Sequence, residues 1–325
     1  MSFLTKLPRP FFVLAPMDDV TDSVFRQIIA KNYAPDIFFT EFVNVEGLQS
    51  RGRKNIIHKL DFTKNEQPLI AQIWGKTPQN YEKVAGELVE MGFGGVDINM
   101  GCPDKSVVKN GCCSALINNR DLAVEIIKSV KKGVNGRVPV SVKLRTGFNE
   151  VDFTWPELIL KQNIDMLTVH GRTTKEMSKV PARWEDIKKV RVIRDKIAPS
   201  TLIVGNGDVV SREQGEQLAQ ETGVDGIMIG RGILNDPFIF QKNSQWATTS
   251  QIDRLKAYKR HIELFLETYP PEKRIRNWQS LKRMSKMYIR GLEEASKFRD
   301  SLVRSQTADE MLTILDQKIL SISKS

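Results

Sequence analysis

Four polar side chains stand near the ends of short apolar runs in this 325-residue sequence: Gln72, Asn99, Lys143 and His170. Two amides, a lysine and an imidazole held together could grip a flat, polar ligand by its heteroatoms. A buried lysine needs an anion or a good acceptor, because isolating it from water costs several kcal/mol. An internal ion pair with Asp97 is the alternative account of Lys143. Two glycine clusters follow, Gly205-Asn206-Gly207-Asp208 and Gly230-Arg231-Gly232. Glycines let backbone N–H groups approach an anion, and Arg231 adds a fork of donors, so the pair of clusters predicts a phosphate-bearing ligand. In Asn99-Met100-Gly101-Cys102-Pro103 the glycine and proline commit Cys102 to a turn, where its sulfur is available for proton chemistry. Cys112 and Cys113, beside Ser114, Ala115 and Leu116, read instead as small buried hydrophobes. No cysteine has a partner at metal-ligand spacing, so no metal is expected.

The elements that must position these residues alternate along the first 240 positions. Strand-like runs cover Phe11–Pro16, Asp36–Phe42, Pro68–Gly75, Gly95–Gly101, Pro139–Gly147, Asp165–Arg172, Thr201–Asp208 and Gly226–Gly232. Helical spacing of apolar residues marks Gln79–Met91, Arg120–Lys132 and Arg212–Thr222 between them. Thr21, Ser211 and Pro78 stand where helix starts want a cap or a first-turn proline. Eight strand–helix repeats predict an α/β fold, a (β/α)8 TIM barrel, in preference to an open doubly wound sheet of five or six strands. Period-two alternation puts Gln72, Asp97, Asn99, Ser141, Lys143, Arg145, Thr168 and His170 on the inward faces. Two long connections, Cys102–Asn119 and Thr173–Arg183, fall at the strand ends that build active sites in such barrels. After Phe240 the strand pattern ends. Residues 241–325 read as a smaller all-helical domain, with Leu255, Tyr258, Ile262 and Leu266 on one face, a break at Pro270-Pro271 and a helix end near Gly291.

Composition narrows the class. Hydrophobic residues make up 40% and charged residues 27%, and mean hydropathy is −0.32. No apolar run approaches the ~18 residues of a membrane helix, and the first residues lack a secretion-signal pattern. Three cysteines without a framework point to the reducing cytoplasm. Net charge is +10, and residues 241–325 hold 17 Lys/Arg against 10 Asp/Glu, a net of +7. Such a concentration suits a polyanionic partner, although a solvated basic surface has the same composition.

The motifs, taken in order, resemble those of the tRNA-dihydrouridine synthase family. They are Leu14-Ala15-Pro16-Met17 with Val20-Thr21-Asp22, Thr40-Glu41, Gln72-Ile73-Trp74-Gly75, the Asn99–Pro103 turn and Lys143-Leu144-Arg145. His170-Gly171-Arg172-Thr173, Asn206-Gly207-Asp208, Gly230-Arg231-Gly232 and the stretch Gly291–Leu315 complete the set. The resemblance implies an FMN-binding barrel, residues 1–240, followed by a helical tRNA-binding domain, residues 241–325. It implies that Pro16, Met17 and Asp18 lie along the flavin, with Gln72 and Lys143 on its pyrimidine edge and His170 beside them. Asn206, Gly207, Asp208, Gly230 and Arg231 would hold the phosphate. Asn99 and Arg172 would position a uracil base, and Cys102 would be the acid. NADPH is the family's reductant, and the expected form is a cytoplasmic monomer that takes tRNA.

The residue types suit reduction of the C5–C6 bond of uracil. A lysine near N1 of the flavin stabilises its anionic reduced form, and a thiol of ordinary pKa, ~8.5, stays protonated to donate at C5. The target base is stacked in folded tRNA and must be extracted, which gives a basic second domain a purpose. Lys282, Arg283, Lys286 and Arg290 recur at helical spacing as a candidate tRNA-binding stripe. After Thr173 the family's basic residue, glutamine, tyrosine and glycine give way to Thr174-Lys175-Glu176-Met177-Ser178-Lys179-Val180-Pro181, with Lys175 as the candidate basic contact. A flavin reductase of a free pyrimidine and a non-catalytic tRNA-binding protein are the alternatives.

Overall fold

The computed structural model describes residues 2–273 and 275–324. Eight strands form one parallel sheet: β1 Phe11–Leu14, β2 Phe38–Asn44, β3 Leu69–Trp74, β4 Gly95–Met100, β5 Val140–Arg145, β6 Met166–His170, β7 Leu202–Asn206 and β8 Gly226–Ile229. Their order is β1-β8-β7-β6-β5-β4-β3-β2, and a parallel bridge between Val13 and Ile37 closes the circuit. This is the expected TIM barrel. The helices are α1 Ser23–Tyr33, α2 Val45–Leu48, α3 Pro78–Glu90, α4 Lys105–Lys109, α5 Arg120–Val134, α6 Thr154–Leu160, α7 Trp184–Ile197 and α8 Arg212–Thr222. A helical C-terminal region follows, made of α9 Gln251–Thr268, α10 Ser280–Ile289, α11 Ala295–Arg304 and α12 Ala308–Lys324.

Parallel strands covered on both faces need side chains that fill both, and here each face has its own chemistry. Outward Val96, Ile98, Val142, Leu144, Leu167 and Val169 are buried against the helices. Inward polar residues are paired by register: Gln72 lies beside Asp97, Asp97 beside Ser141, Asn99 beside Lys143, Lys143 beside Thr168 and Arg145 beside His170. The alternation read from sequence therefore sets which residues meet inside the barrel.

Boundaries shifted where local chemistry intervened. β2 starts two residues later than the alternation suggested, because the Asp36 carboxylate accepts the Phe12 N–H at 2.7 Å instead of continuing the strand. The cap of α1 is Asp22, which accepts from the Phe25 N–H at 2.8 Å, and not Thr21. The Thr21 hydroxyl accepts the Met17 N–H at 2.9 Å and so fastens the turn that follows β1. Ser211 does cap α8, and Pro78 opens α3. In the C-terminal region Leu255, Tyr258 and Ile262 are buried as the spacing indicated. Leu266 also packs against this core, partly buried, and its neighbour Phe265 is fully buried beside it. Gly291, at φ +82°, ends α10 in the left-handed region that favours glycine.

One ion pair is wholly sealed inside. Arg26 Nε donates to Glu66 at 2.6 Å, both side chains have no exposure, and Arg26 also donates to the Thr21 and Asp61 carbonyls. Breaking one side of such a pair strands a buried charge. Glu66→Gln is expected to cost about 3–5 kcal/mol of unfolding free energy. Urea denaturation checks it; a loss below about 1 kcal/mol would show the pair to be dispensable.

Candidate active site

A cavity of about 390 Å³ opens at the carboxyl ends of the strands. Pro16, Met17, Lys143, His170, Arg172, Asn206, Gly207, Asp208, Gly230 and Arg231 line it, together with Asn235. These residues come from β1, β5, β6, β7, β8 and the turns after them, so one barrel mouth collects side chains spread over more than two hundred positions.

Lys143 is the central charge. Among the described residues it has no hydrogen-bond or ion-pair partner, and burial lowers its pKa to about 8. The alternative ion pair with Asp97 does not form. Asp97 is occupied by Gln72 Nε2 at 2.7 Å and Ser141 Oγ at 2.6 Å, and burial lifts its pKa to about 6. Gln72 in turn accepts from Asn99 Nδ2 at 2.9 Å. The chain Asn99–Gln72–Asp97–Ser141 forms a satisfied polar floor, while the ammonium beside it stays uncommitted.

Two arginines line the cavity with that cation. Arg172 is buried, donates to His170 Nε2 at 2.9 Å and pairs with Asp208; Arg231 approaches Asp208 at 3.6 Å. Asp208 therefore orients arginines at the rim. Burial and the neighbouring cations hold His170 far below its ordinary pKa, so its ring is neutral. Gly207 adopts φ +137°, and a side chain there would come within 2.4 Å of Ala182 Cβ. At Gly230 a methyl would meet only Ala15 and Met17, at 3.6 Å and 3.9 Å. Bare backbone and surplus positive charge at one end of the cavity suit a phosphate.

Of the remaining candidates, Cys102 sits half-buried in the turn after β4. Asn99 Oδ1 accepts the N–H groups of Gly101 and Cys102, both at 3.0 Å, so Asn99 shapes the turn. Asp18 pairs with Lys59 outside the cavity lining. Lys175 is exposed on the loop after β6. On α10, Arg283 and Lys286 are exposed, and Arg283 contacts Asp19 at 3.3 Å. Lys282 donates to the Val303 and Ser305 carbonyls at 2.8 and 2.7 Å, so its ammonium caps α11. Arg290 donates to Asn235 Oδ1 at 2.8 Å, joining α10 to the cavity wall.

Sequence reasoning passed over Arg145 and Asn235. Arg145 donates to the Gly101 carbonyl at 2.8 Å, and to those of Thr173 and Met177 at 2.9 and 2.8 Å. It ties the Cys102 turn to the loop after β6. Its place on the inward face two residues beyond Lys143 was the available signal. The loop's departure from the family pattern is also built in: Glu176 holds Arg183 through two bonds, at 2.7 and 2.9 Å.

The family model described as dihydrouridine synthase matches residues 13–323. The chain belongs to that family. A Staphylococcus aureus (strain COL) protein named probable tRNA-dihydrouridine synthase is 43% identical over 97% of this chain and 95% of its own length. The Bacillus subtilis (strain 168) protein named probable tRNA-dihydrouridine synthase 2 is 44% identical over 97% and 96%. Among solved structures, a 2-naphthoyl-CoA reductase complex aligns with TM-score 0.56 at 13% identity, covering 70% of this chain and 49% of that one. Histamine dehydrogenase from Rhizobium sp. 4-9 aligns at 0.53 and 12%, covering 78% and 48%. At such identities the likeness is one of fold. As a dihydrouridine synthase family member the chain is a flavin-dependent oxidoreductase.

Within this family site the sequence expectation of an ordinary thiol at Cys102 needs correction. A hydrogen bond with the Cys113 thiol draws its pKa down to about 7, helped by the Asp104 N–H and Arg145 and opposed by burial. Cys113 itself is buried and its thiol is pushed well up. Adjacency to a second thiol was invisible at a separation of eleven residues. Alkylation by iodoacetamide, which requires the thiolate, is expected to reach half its maximal rate at Cys102 near pH 7. In Cys113→Ala the midpoint should move up by about one unit; an unchanged midpoint would remove Cys113 as the cause.

Proposed function

We propose that this enzyme reduces the C5–C6 double bond of uridines in tRNA, with FMN as its flavin, NADPH as reductant and Cys102 as general acid. The observation that carries the reading is an uncommitted Lys143 in the lining of a cavity that also holds the glycine turns and Arg231. Lys143 and Cys102 lie within electrostatic reach of each other. The chemistry of the donor set fits FMN. Lys143 would face the electron-rich edge of the ring system, and Asn206, Gly207, Gly230 and Arg231 would receive the phosphate, with Asp208 holding Arg231 and Arg172 in place. Pro16 and Met17 form the apolar wall beside Gly230.

When bound and reduced, the flavin would supply the hydride that adds to C6 of uracil. Cys102 delivers the proton to C5, and the thiolate left behind is reprotonated from water. Its turn is braced from beneath by Asn99 and from the side by Arg145, and Ser114 Oγ donates to the Cys102 carbonyl at 2.8 Å. Arg172, buried in the cavity lining, would hold the base. Residues 241–325 act as the tRNA-binding domain, with Arg283 and Lys286 offering exposed cationic side chains; Lys175 extends that surface from the barrel.

Cys102→Ala should still be reduced by NADPH at the normal rate, while dihydrouridine formation falls at least ~100-fold, the usual contribution of a general acid. Stopped-flow absorbance and nucleoside analysis read the two steps separately; full product formation would remove Cys102 from the role. Turnover of free uracil at a comparable rate would replace tRNA with a small pyrimidine as substrate.

The pH dependence has a definite sign. Cys102 works protonated, with a pKa of about 7, and Lys143 works charged, with a pKa of about 8. Both active forms are lost as pH rises. Single-turnover reduction of tRNA by pre-reduced enzyme should therefore decline above pH 7 and more steeply above pH 8; a rate rising across this range would contradict the assignment.

A further inference from the structure

Between α9 and α10 the chain runs over the surface, with Pro271, Glu272, Lys273, Ile275 and Asn277 all exposed. From this stretch Arg276 turns inward, its side chain keeping 4% exposure. Its guanidinium grips Glu41, a residue with no exposure at the mouth of β2, through two bonds of 2.7 and 3.0 Å. The Nε side faces Asp22 at 3.4 Å, and Asp19 lies 3.9 Å from Nη2. A bidentate arginine–carboxylate pair fixes orientation as well as distance. This one therefore ties the segment between α9 and α10 to β2 in a fixed orientation.

Glu41 also reaches the cavity wall. Its Oε1 accepts the Asp19 N–H at 2.7 Å, and Asp19 ends the Pro16–Asp18 segment, of which Pro16 and Met17 line the cavity. Preceding Glu41, the Thr40 hydroxyl accepts the N–H of Gln72, part of the polar floor. Arg276 thus contacts one carboxylate that holds the turn beside the cavity, and a second, Asp22, that caps α1. Other charges nearby have their own partners: Lys59 pairs with Asp18, Arg283 with Asp19, and Arg26 with Glu66. Removing Arg276 would leave Glu41 and Asp22 buried without a cation, and repulsion would loosen the seat of the helical region.

We propose that Arg276, seated on Glu41, is a positioning residue that fixes the angle between the basic helical region and the barrel mouth, so that an RNA held by the first presents its base to the second. The inference rests on the tRNA reading above. It separates RNA binding, which depends on exposed cations, from base delivery, which depends on this buried pair. A residue of this kind leaves affinity nearly intact and lowers the rate of the chemical step.

The test uses the full-length holoenzyme and three variants, Arg276→Ala, Arg276→Lys and Glu41→Gln, the last two keeping bulk where the first fails to fold. Flavin content and oxygen-coupled NADPH oxidation without tRNA report the flavin site. Filter binding reports tRNA affinity, and single-turnover dihydrouridine formation reports delivery of the base. The expected result is oxidation within about twofold of wild type, tRNA affinity within about threefold, and a dihydrouridine rate at least tenfold lower in every variant that folds. Parallel losses in oxidation and dihydrouridine formation would mark a merely structural role and overturn the proposal, as would an unchanged rate or a loss confined to affinity. Wild-type enzyme that reduces free uracil but not tRNA would instead overturn the functional reading on which the proposal stands.

Discussion

A cation enclosed without a counter-ion is a standing cost to a folded protein, and Lys143 carries that cost at the centre of this barrel. The surroundings are arranged so that nothing relieves it. Asp97, the nearest acid on the inward face, is consumed by Gln72 and Ser141, and Asp208 is consumed by Arg172 and Arg231. The positive potential therefore stays available for a ligand. The same mouth holds a His170 kept neutral by burial and the surrounding cations, and bare glycine turns that leave backbone open to a ligand.

The Cys102 turn shows how a barrel makes a mobile-looking segment definite. Loops carry chemistry because they vary, yet a group proposed to donate a proton has to be held in place. Asn99 grips the turn from the strand that precedes it, Arg145 from the next strand, and Ser114 from twelve residues further on. Arg145 also binds the loop after β6, so two long connections share one brace. Glu176 and Arg183 then give that second loop an internal ion pair.

Charge on the helical region divides into two kinds. Lys282 and Arg290 look like RNA contacts by spacing but serve as a cap and a tether, because helical periodicity places a side chain on a face without saying what lies across from it. Arg283 and Lys286 remain at the surface. Arg276, outside any periodic stripe, joins the two parts of the molecule through a bidentate ion pair with Glu41.

Sequence alone determined the strand–helix count, the alternation that turns Gln72, Asn99, Lys143 and His170 inward, and the glycine turns after β7 and β8. These are local properties: periodicity and turn chemistry are written in neighbouring residues. It also carried enough ordered motifs to place the chain in its family. Tertiary structure decided which polar groups are spent on each other and which stay free. Whether Asp97 answers Lys143 or Gln72, whether Thr21 caps a helix or fastens a turn, and whether Cys113 touches Cys102 depend on separations of a few ångströms between segments far apart in the chain. Hydrogen bonds and ion pairs fall off over such distances, so only the closed barrel could settle them.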